Sequence, residues 1–330
     1  MSQRLRVVVT GATGFVGSHI LTAPWPELEL VAACRRPSAL PTSFDGEAIV
    51  GDLRDAAYRQ RIADTADVVC HAASVAHFSG HAQEERTHYL EPTRALIEAC
   101  KRGRARRFIN LSATATRVER DGDPMGEGSH TGFWPHLDVV VDIEDALREA
   151  SGPDLTGVNL RCGFFIGRGY SLGLLPALVP RLRTGLVPWV AGGHATASLI
   201  SGEDIGRAFM LAATRDGLEG YQSVNLVDDA SPSLRELLEH LHETQGVPLP
   251  KFSVPYWMAH AFGAMMEFVA AVTRTEPFLP RGIVHLLRES HATGARAAKL
   301  LGFVPQIAWQ DAVAAQMAEM RERSLNPASA

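Results

Sequence analysis

The sequence predicts an α/β fold: a Rossmann doubly wound parallel sheet with a smaller, mostly helical C-terminal substrate lobe. Three observations carry this. A short β-branched run, Leu5 to Thr10, leads straight into a glycine-spaced turn, Gly11-Ala12-Thr13-Gly14-Phe15-Val16-Gly17. Strand-like and helix-like stretches then alternate, which implies parallel strands joined by right-handed crossovers. After about Gly167 the loops lengthen, prolines appear at Pro176, Pro180 and Pro188, and helical spacing takes over.

The elements follow in order. Leu5 to Thr10 reads as a buried strand, and Phe15 to Leu21 opens a helix. Leu28 to Cys34 and Ala48 to Val50 are the next strands, followed by Asp67 to His71 and Arg107 to Leu111. Asp55 to Ala63 and Pro92 to Arg102 have helical spacing between them. Val158 to Arg161 and Gln222 to Val227 complete the strands. In the second half, Ser233 to Gln245, Tyr256 to Val272, Phe278 to Arg288 and Trp309 to Arg323 read as helices. Residues 1–170 plus 198–228 are expected to form the dinucleotide-binding domain. Residues 171–197 plus 229–330 are expected to form the lobe.

Bulk properties remove several function classes. A formal net charge of -5 argues against nucleic acid, whose phosphates need clustered cations. The basic run Lys101 to Arg107 suits a helix C-terminus and a solvated turn. Cys34, Cys70, Cys100 and Cys162 form no CxxC pair, so neither a zinc site nor a disulfide framework is expected. Val7-Val8-Val9 is too short for a secretory core, and cytoplasmic residence is the expectation. Tyr256 to Val272 is very apolar, yet it holds His260 and Glu267 and falls short of the ~20 residues a span needs. A core or pocket-lining helix is expected there, with a membrane-surface helix as the alternative.

The turn is built for a pyrophosphate. Gly11 permits the tight bend, Gly14 lets backbone approach the ligand, and Gly17 allows the helix to pack closely on the strand. Thr13, Phe15 and Val16 complete the cradle. The second strand ends in Cys34-Arg35-Arg36-Pro37 where an acid would hold a ribose hydroxyl. Arg35 and Arg36 suit a 2'-phosphate, so NADP is favoured, with NAD as the alternative.

The pattern Thr10-Gly11-x-x-Gly14-x-x-Gly17 resembles the extended short-chain dehydrogenase/reductase superfamily, in its epimerase, dehydratase and hydroxysteroid dehydrogenase group. Further stretches are similar along nearly the whole chain. Gly51-Asp52-Leu53 resembles the adenine-contacting GDL, and His71-Ala72-Ala73 the stretch after the fourth strand. Leu96 to Cys100 resembles an LLEAC helix. Leu111-Ser112-Ala113-Thr114 resembles the strand end that bears the catalytic serine. Leu160 to Gly167 resembles the LRPxxVYG segment beside the nicotinamide, Ser198 to Ile205 the VxDxA stretch, and Ala298 to Pro305 the KxLGYxP tail. The resemblance implies cofactor contacts at Asp52, Leu53, Ala72, Ala73, Leu111, Cys162, Gly163 and Phe164. It also implies a homodimer.

The sequence departs from that family at its proton relay. No YxxxK occurs anywhere. Aligning the helix on Glu144 puts His136 at the tyrosine position and Val140 at the lysine position. Imidazole titrates near neutrality without help from a lysine. His136 is therefore a candidate proton carrier and Ser112 a candidate partner for the substrate oxygen. The plainer alternatives are a helix-entry histidine beside Asp138 and a strand-end hydroxyl serving local backbone. His77, Phe78 and Thr114 are candidate substrate contacts. An NADPH-dependent reductase of a carbonyl or activated double bond in a hydrophobic small molecule is the favoured function. A non-redox isomerase, cyclase or dehydratase, and a non-catalytic NADP sensor, are the alternatives.

Overall fold

The computed structural model of the protein describes residues 4–75, 77–116, 125–170, 173–289 and 291–325. The first half alternates as expected: β1 (Leu5–Thr10), α1 (Phe15–Thr22), β2 (Leu28–Cys34), β3 (Ala48–Val50), α2 (Ala56–Thr65), β4 (Val68–His71), α3 (Ala82–Glu85), α4 (Glu91–Arg102), β5 (Arg107–Ala113), α5 (Pro135–Ala150) and β6 (Thr156–Cys162). A five-residue π turn, Arg86–Leu90, joins α3 to α4. Then come β7 (Phe164–Ile166), α6 (Leu174–Leu182), β8 (Trp189–Val190), β9 (Leu199–Ser201), α7 (Gly202–Thr214) and β10 (Tyr221–Leu226). The rest is helical apart from one short strand: α8 (Leu234–Gln245), β11 (Ser253–Val254), α9 (Tyr256–Thr273), α10 (Arg281–Leu286), α11 (Ala295–Leu301) and α12 (Trp309–Leu325).

Seven strands form one parallel sheet in the order β10-β6-β5-β4-β1-β2-β3. Val8 of β1 pairs with Val31 of β2 on one side and Val69 of β4 on the other. The strand order reverses there, so a crevice opens at the carboxyl ends of β1 and β4, where such sheets bind ligands. Alternation along β1 feeds two cores. Val7 and Val9 pack with Val16 and Ile20 of α1 and Phe209 of α7. Val8 packs on the other face with Ile62, Leu96 and Leu147 of α2, α4 and α5.

The lobe has its own core, in which Leu175 of α6, Leu237 and Leu241 of α8, and Val313 of α12 meet. Helix α8 is well punctuated: Ser233 and Glu236 form a reciprocal cap, and Gly246 ends it in left-handed geometry. Helix α6 forms across the two prolines that suggested loop. Pro176 lies in its first turn, where no N–H is needed, and Pro180 costs one bond, the one to the Pro176 carbonyl. The domain boundary expected at 170/171 abuts residues 171 and 172, which lie outside the described ones. Of the expectation that α9 is a core or pocket-lining helix, the second half holds, since Tyr256, Trp257, His260 and Ala261 line a cavity, and the first does not, since its buried residues are only Ala259, Gly263 and Ala270. No described helix is long and apolar enough to cross a membrane.

Candidate active site

The glycine turn is held by contacts that no side chain could share. Gly11 sits at φ +66°, and a Cβ there would lie 2.6 Å from the Ala72 carbonyl carbon and the Ala73 nitrogen. A Cβ on Gly17 would lie 2.2 Å from the Gly11 oxygen. Gly14 donates its N–H to that oxygen at 2.9 Å. Helix α1 begins at Phe15 with no side-chain cap. Its first N–H groups are thus directed at the space a pyrophosphate takes. The cradle fits a dinucleotide, because close backbone approach and an uncapped helix start coincide. Phe15 is braced by Tyr170 at 4.7 Å and by Phe165 at 6.0 Å between ring centres.

Beneath the turn runs a buried hydrogen-bonded row. Thr10 Oγ1 meets His71 Nδ1 at 2.8 Å, and His71 Nε2 meets Thr93 Oγ1 at 3.0 Å. Burial pushes the His71 imidazole down to about 3, so it is neutral and ties β1 to α4. Farther along, Arg35 and Arg36 stand exposed just past β2. Asp52 is held by Arg54 at 2.7 and 3.0 Å. Those hydrogen bonds push its carboxyl down to about 2. Arg54 therefore takes up the Asp52 charge, while neither Arg35 nor Arg36 forms an ion pair with a described residue. Leu53, Leu111, Cys162, Gly163 and Phe164 complete the row of expected cofactor residues at or just beyond the carboxyl ends of the strands.

The two candidate catalytic residues are drawn into separate polar clusters. Ser112 is buried and donates its hydroxyl to Glu144 Oε1. Glu144 in turn takes Arg161 Nε at 2.9 Å and pairs with its Nη2, all with fully buried side chains. Strand alternation turns Ser112 toward α5 and its neighbour Ala113 toward the crevice, and Thr114, just past the strand end in a 3-10 turn, lines the crevice as well. His136 Nδ1 lies 3.1 Å from Glu85 Oε2, and His77 Nδ1 lies 3.0 Å from Glu85 Oε1. Glu85 is fully buried. Tyr89, whose phenol is pushed well above its usual range chiefly by burial, stacks on His136 at 5.9 Å. Val140 is buried nearby in the same core. The expected substrate contacts also divide. Thr114 lines the crevice, but His77 is taken up by Glu85 and by the Trp134 indole, which donates to its carbonyl at 2.7 Å. Phe78 stacks on Trp134 at 6.1 Å.

Two adjoining cavities share Ala115, His285 and Arg288. The smaller, about 80 Å³, is walled by Ala113, Thr114, Cys162, Gly163 and Phe164, with His285 and Arg288 from the lobe. The larger, about 460 Å³, is walled by Phe133, Tyr256, Trp257 and His260 and by the polar Thr116, Ser129 and Thr131, again with His285 and Arg288. His285 therefore stands where the two meet. Its Nε2 lies 3.4 Å from the Ala115 carbonyl oxygen, and Phe133 and Trp134 meet its ring edge-on. Burial lowers its pKa below the ordinary histidine value. Sequence reasoning missed His285, Arg288 and Glu85. None carries a spacing signal, and each reaches the site through a tertiary crossing.

Comparison with known proteins adds the following. The NAD dependent epimerase/dehydratase family model matches residues 7–226. A 4-hydroxy-2-methyl-3-oxo-4-farnesyl-3,4-dihydroquinoline-1-oxide ketoreductase of Stigmatella aurantiaca is 27% identical over 93% of this chain and 94% of that protein. Sterol demethylase protein B of Methylococcus capsulatus is 26% identical over 94% of this chain and 98% of that protein. Among solved structures, UDP-glucuronic acid 4-epimerase from Bacillus cereus, in complex with UDP-glucuronic acid and NAD, superposes with a TM-score of 0.74. It shares 17% identity, over 96% of this chain and 99% of that one. At that identity the likeness speaks to fold alone.

Proposed function

The chain belongs to the NAD dependent epimerase/dehydratase family, and from that premise we propose that it is an NADPH-dependent reductase of a carbonyl in a hydrophobic small molecule. That it is an NAD(P)-dependent enzyme of the reductase and epimerase type follows from the family and its relatives. The narrower reading rests on one observation: the crevice beside Cys162, Gly163 and Phe164 opens at His285 into a cleft walled by aromatic side chains. Such walls suit an apolar body. The curated relatives that are named for a farnesyl-quinoline ketone and for sterols favour the same class.

A dinucleotide held here would supply the hydride, and the remaining tasks fall to the chain. Gly11, Gly14 and the start of α1 hold the pyrophosphate. Arg35 and Arg36 would meet the 2'-phosphate, and Asp52 would not repel it because Arg54 neutralises it. The aromatic walls would pack against the apolar body of the substrate. As its carbon gains hydride, its oxygen must gain a proton. His285 is the imidazole that lines both cavities, and we assign the donation to it, with the Thr114 hydroxyl orienting the oxygen. Ser112 and His136 are positioning residues in this reading. The first fixes the end of β5 through Glu144, and the second fixes the start of α5 through Glu85.

The test follows NADPH consumption with isoprenoid and polycyclic ketones. Stoichiometric loss is expected; product without loss would mean non-redox chemistry, and binding without product a sensor. His285→Ala is expected to lower kcat about a hundredfold or more while leaving the NADPH Kd alone, against less than about tenfold for His136→Ala. The reverse ranking would return the proton to His136. The donor is the imidazolium and burial lowers its pKa, so kcat/KM for reduction should fall with rising pH through a midpoint below the ordinary histidine value of 6.5.

A further inference from the structure

Helix α9 is fastened to the molecule by a narrow stripe. Its three buried residues, Ala259, Gly263 and Ala270, are all small. A Cβ on Gly263 would lie 3.2 Å from the Arg281 backbone nitrogen and 3.3 Å from the Leu279 carbonyl, so the helix rests close on the segment that leads into α10. Its large side chains point the other way. Trp257 is 67% exposed, Phe268 72% and Val272 70%, with Met258, Phe262, Met265 and Val269 exposed between them. These positions recur at helical spacing, so they form one face. Phe252, just before β11 in the segment that leads into the helix, is exposed as well. Folded monomers seldom show water a continuous apolar surface of this kind without a use for it.

Charge identifies what covers it. From Gly246 to Thr275 the charged residues are Lys251, Glu267 and Arg274. Glu267 is turned inward, accepting the Arg281 N–H at 2.6 Å and its Nε at 2.7 Å. The next acid, Glu276, lies 3.6 Å from His81. Both ends of the apolar face are thus marked by exposed cations, Lys251 before the helix and Arg274 at its C-cap. A second copy seated on this face by a twofold axis would set cation against cation at the ends, whether the helices ran parallel or antiparallel. A bilayer with anionic headgroups meets both ends favourably and receives the aromatic and methionine side chains at its interface.

We propose that α9 docks the protein on the surface of an anionic lipid bilayer, lying in the interface without crossing it. The face is continuous with the larger cavity, since Trp257 and Ala261 of the same helix also line it. If the reductase reading holds, the cleft therefore opens toward the lipid, and its substrate is a bilayer-dissolved compound that never passes through bulk water. The docking itself stands without that reading.

The experiment is flotation of the full chain with vesicles of phosphatidylcholine alone and with about a third phosphatidylglycerol. Light scattering gives the mass of the free protein. Binding to the mixed vesicles is expected, falling about tenfold in Lys251→Glu/Arg274→Glu and about tenfold or more in Phe268→Glu/Val272→Glu. Neither pair touches the cofactor or the cavities, so melting temperature and NADPH affinity should stay at wild-type values and show that both variants fold. No flotation with either vesicle overturns the proposal. So does a dimer that Phe268→Glu/Val272→Glu converts to monomer, because the face would then belong to a second copy. Unchanged flotation in both variants overturns it as well, by placing the lipid contact elsewhere.

Discussion

The sheet around β1 and the helix α9 treat their side chains in opposite ways. Val7, Val8 and Val9 are fully buried, and the polar groups beside them close on one another, Thr10 on His71 and His71 on Thr93. Helix α9 buries three small residues and presents Trp257, Phe268 and Val272 outward. The difference lies in what each region must fit. The first surrounds a ligand of fixed shape, so its tolerances are set at backbone precision. The second meets something with no fixed shape, for which composition and end charge suffice. Substitutions in the first region should therefore be costly and particular, and those on α9 should leave stability almost untouched.

The largest effect belongs to the buried cluster under the strand ends. Glu144→Ala would take away the carboxylate that accepts from Arg161 Nε and Nη2, removing the countercharge of a fully buried guanidinium, and would free the Ser112 hydroxyl. A loss of about 3–5 kcal/mol in denaturant unfolding is expected. Phe268→Glu should change stability by no more than about 0.5 kcal/mol. Equal losses in the two variants would break the comparison. Next comes Gly17→Ala, whose Cβ would lie 2.2 Å from the Gly11 oxygen. The overpacking should cost about 1–3 kcal/mol. It should also displace the turn from the pyrophosphate, weakening NADPH in a fluorescence titration about tenfold or more. A variant that is destabilised but binds normally would show that α1 can shift without carrying the turn along.

The same contrast explains what could be read from the sequence. Strands β1 to β6 and the glycine turn were legible, because their signals are local: period two, glycine at a fixed spacing, a strand followed by a helix. Ser112 was placed on the right strand end, but its partner was not readable. The neighbouring residue of a strand points to the other face, and motif matching does not tell which face a given hydroxyl takes. Glu85 and His285 were invisible for a different reason. Glu85 meets His136 across 51 positions through the packing of α3 against α5, and His285 meets Ala115 across 170 through the packing of the lobe, so neither contact shows in local spacing. The apolar run of α9 was legible as composition, yet composition reads alike for a core helix and for an exposed one.

A smaller effect comes from the buried histidine beneath the turn. His71 has a folded pKa of about 3 against 6.5 for the free side chain. The unfolded chain therefore binds the extra proton as pH falls through the free-histidine range. Stability contributed by neutral His71 is present above that range and is lost steadily on going from it toward the folded value. Between about pH 7 and about pH 5.5 the loss should be near 1 kcal/mol. His71→Gln should remove that part of the slope, at the cost of a weaker row between Thr10 and Thr93. A slope equal to wild type would mean that the acid sensitivity arises in the other histidines whose pKa burial lowers, His19 and His285.

The finest test concerns the one part of the cofactor site that behaves like α9, the exposed pair past β2. Arg35 and Arg36 carry no described ion pair and stand in water, so removing them should leave the sheet as stable as before. Their proposed task is electrostatic and specific to a 2'-phosphate, worth about 1 kcal/mol for each arginine at a partly solvated site. Arg36→Ala should weaken NADPH several-fold and the double variant about tenfold or more, with NADH unchanged, as read by competitive titration. Asp52 supplies the control. Its carboxylate is occupied by Arg54, so Arg54→Ala should set it free and weaken NADPH further while sparing NADH. If the double variant binds NADPH as tightly as wild type, the pair is merely solvated and the enzyme uses the cofactor without the phosphate. The exposed rim of the first region would then be as indifferent to single residues as the outer face of the lobe.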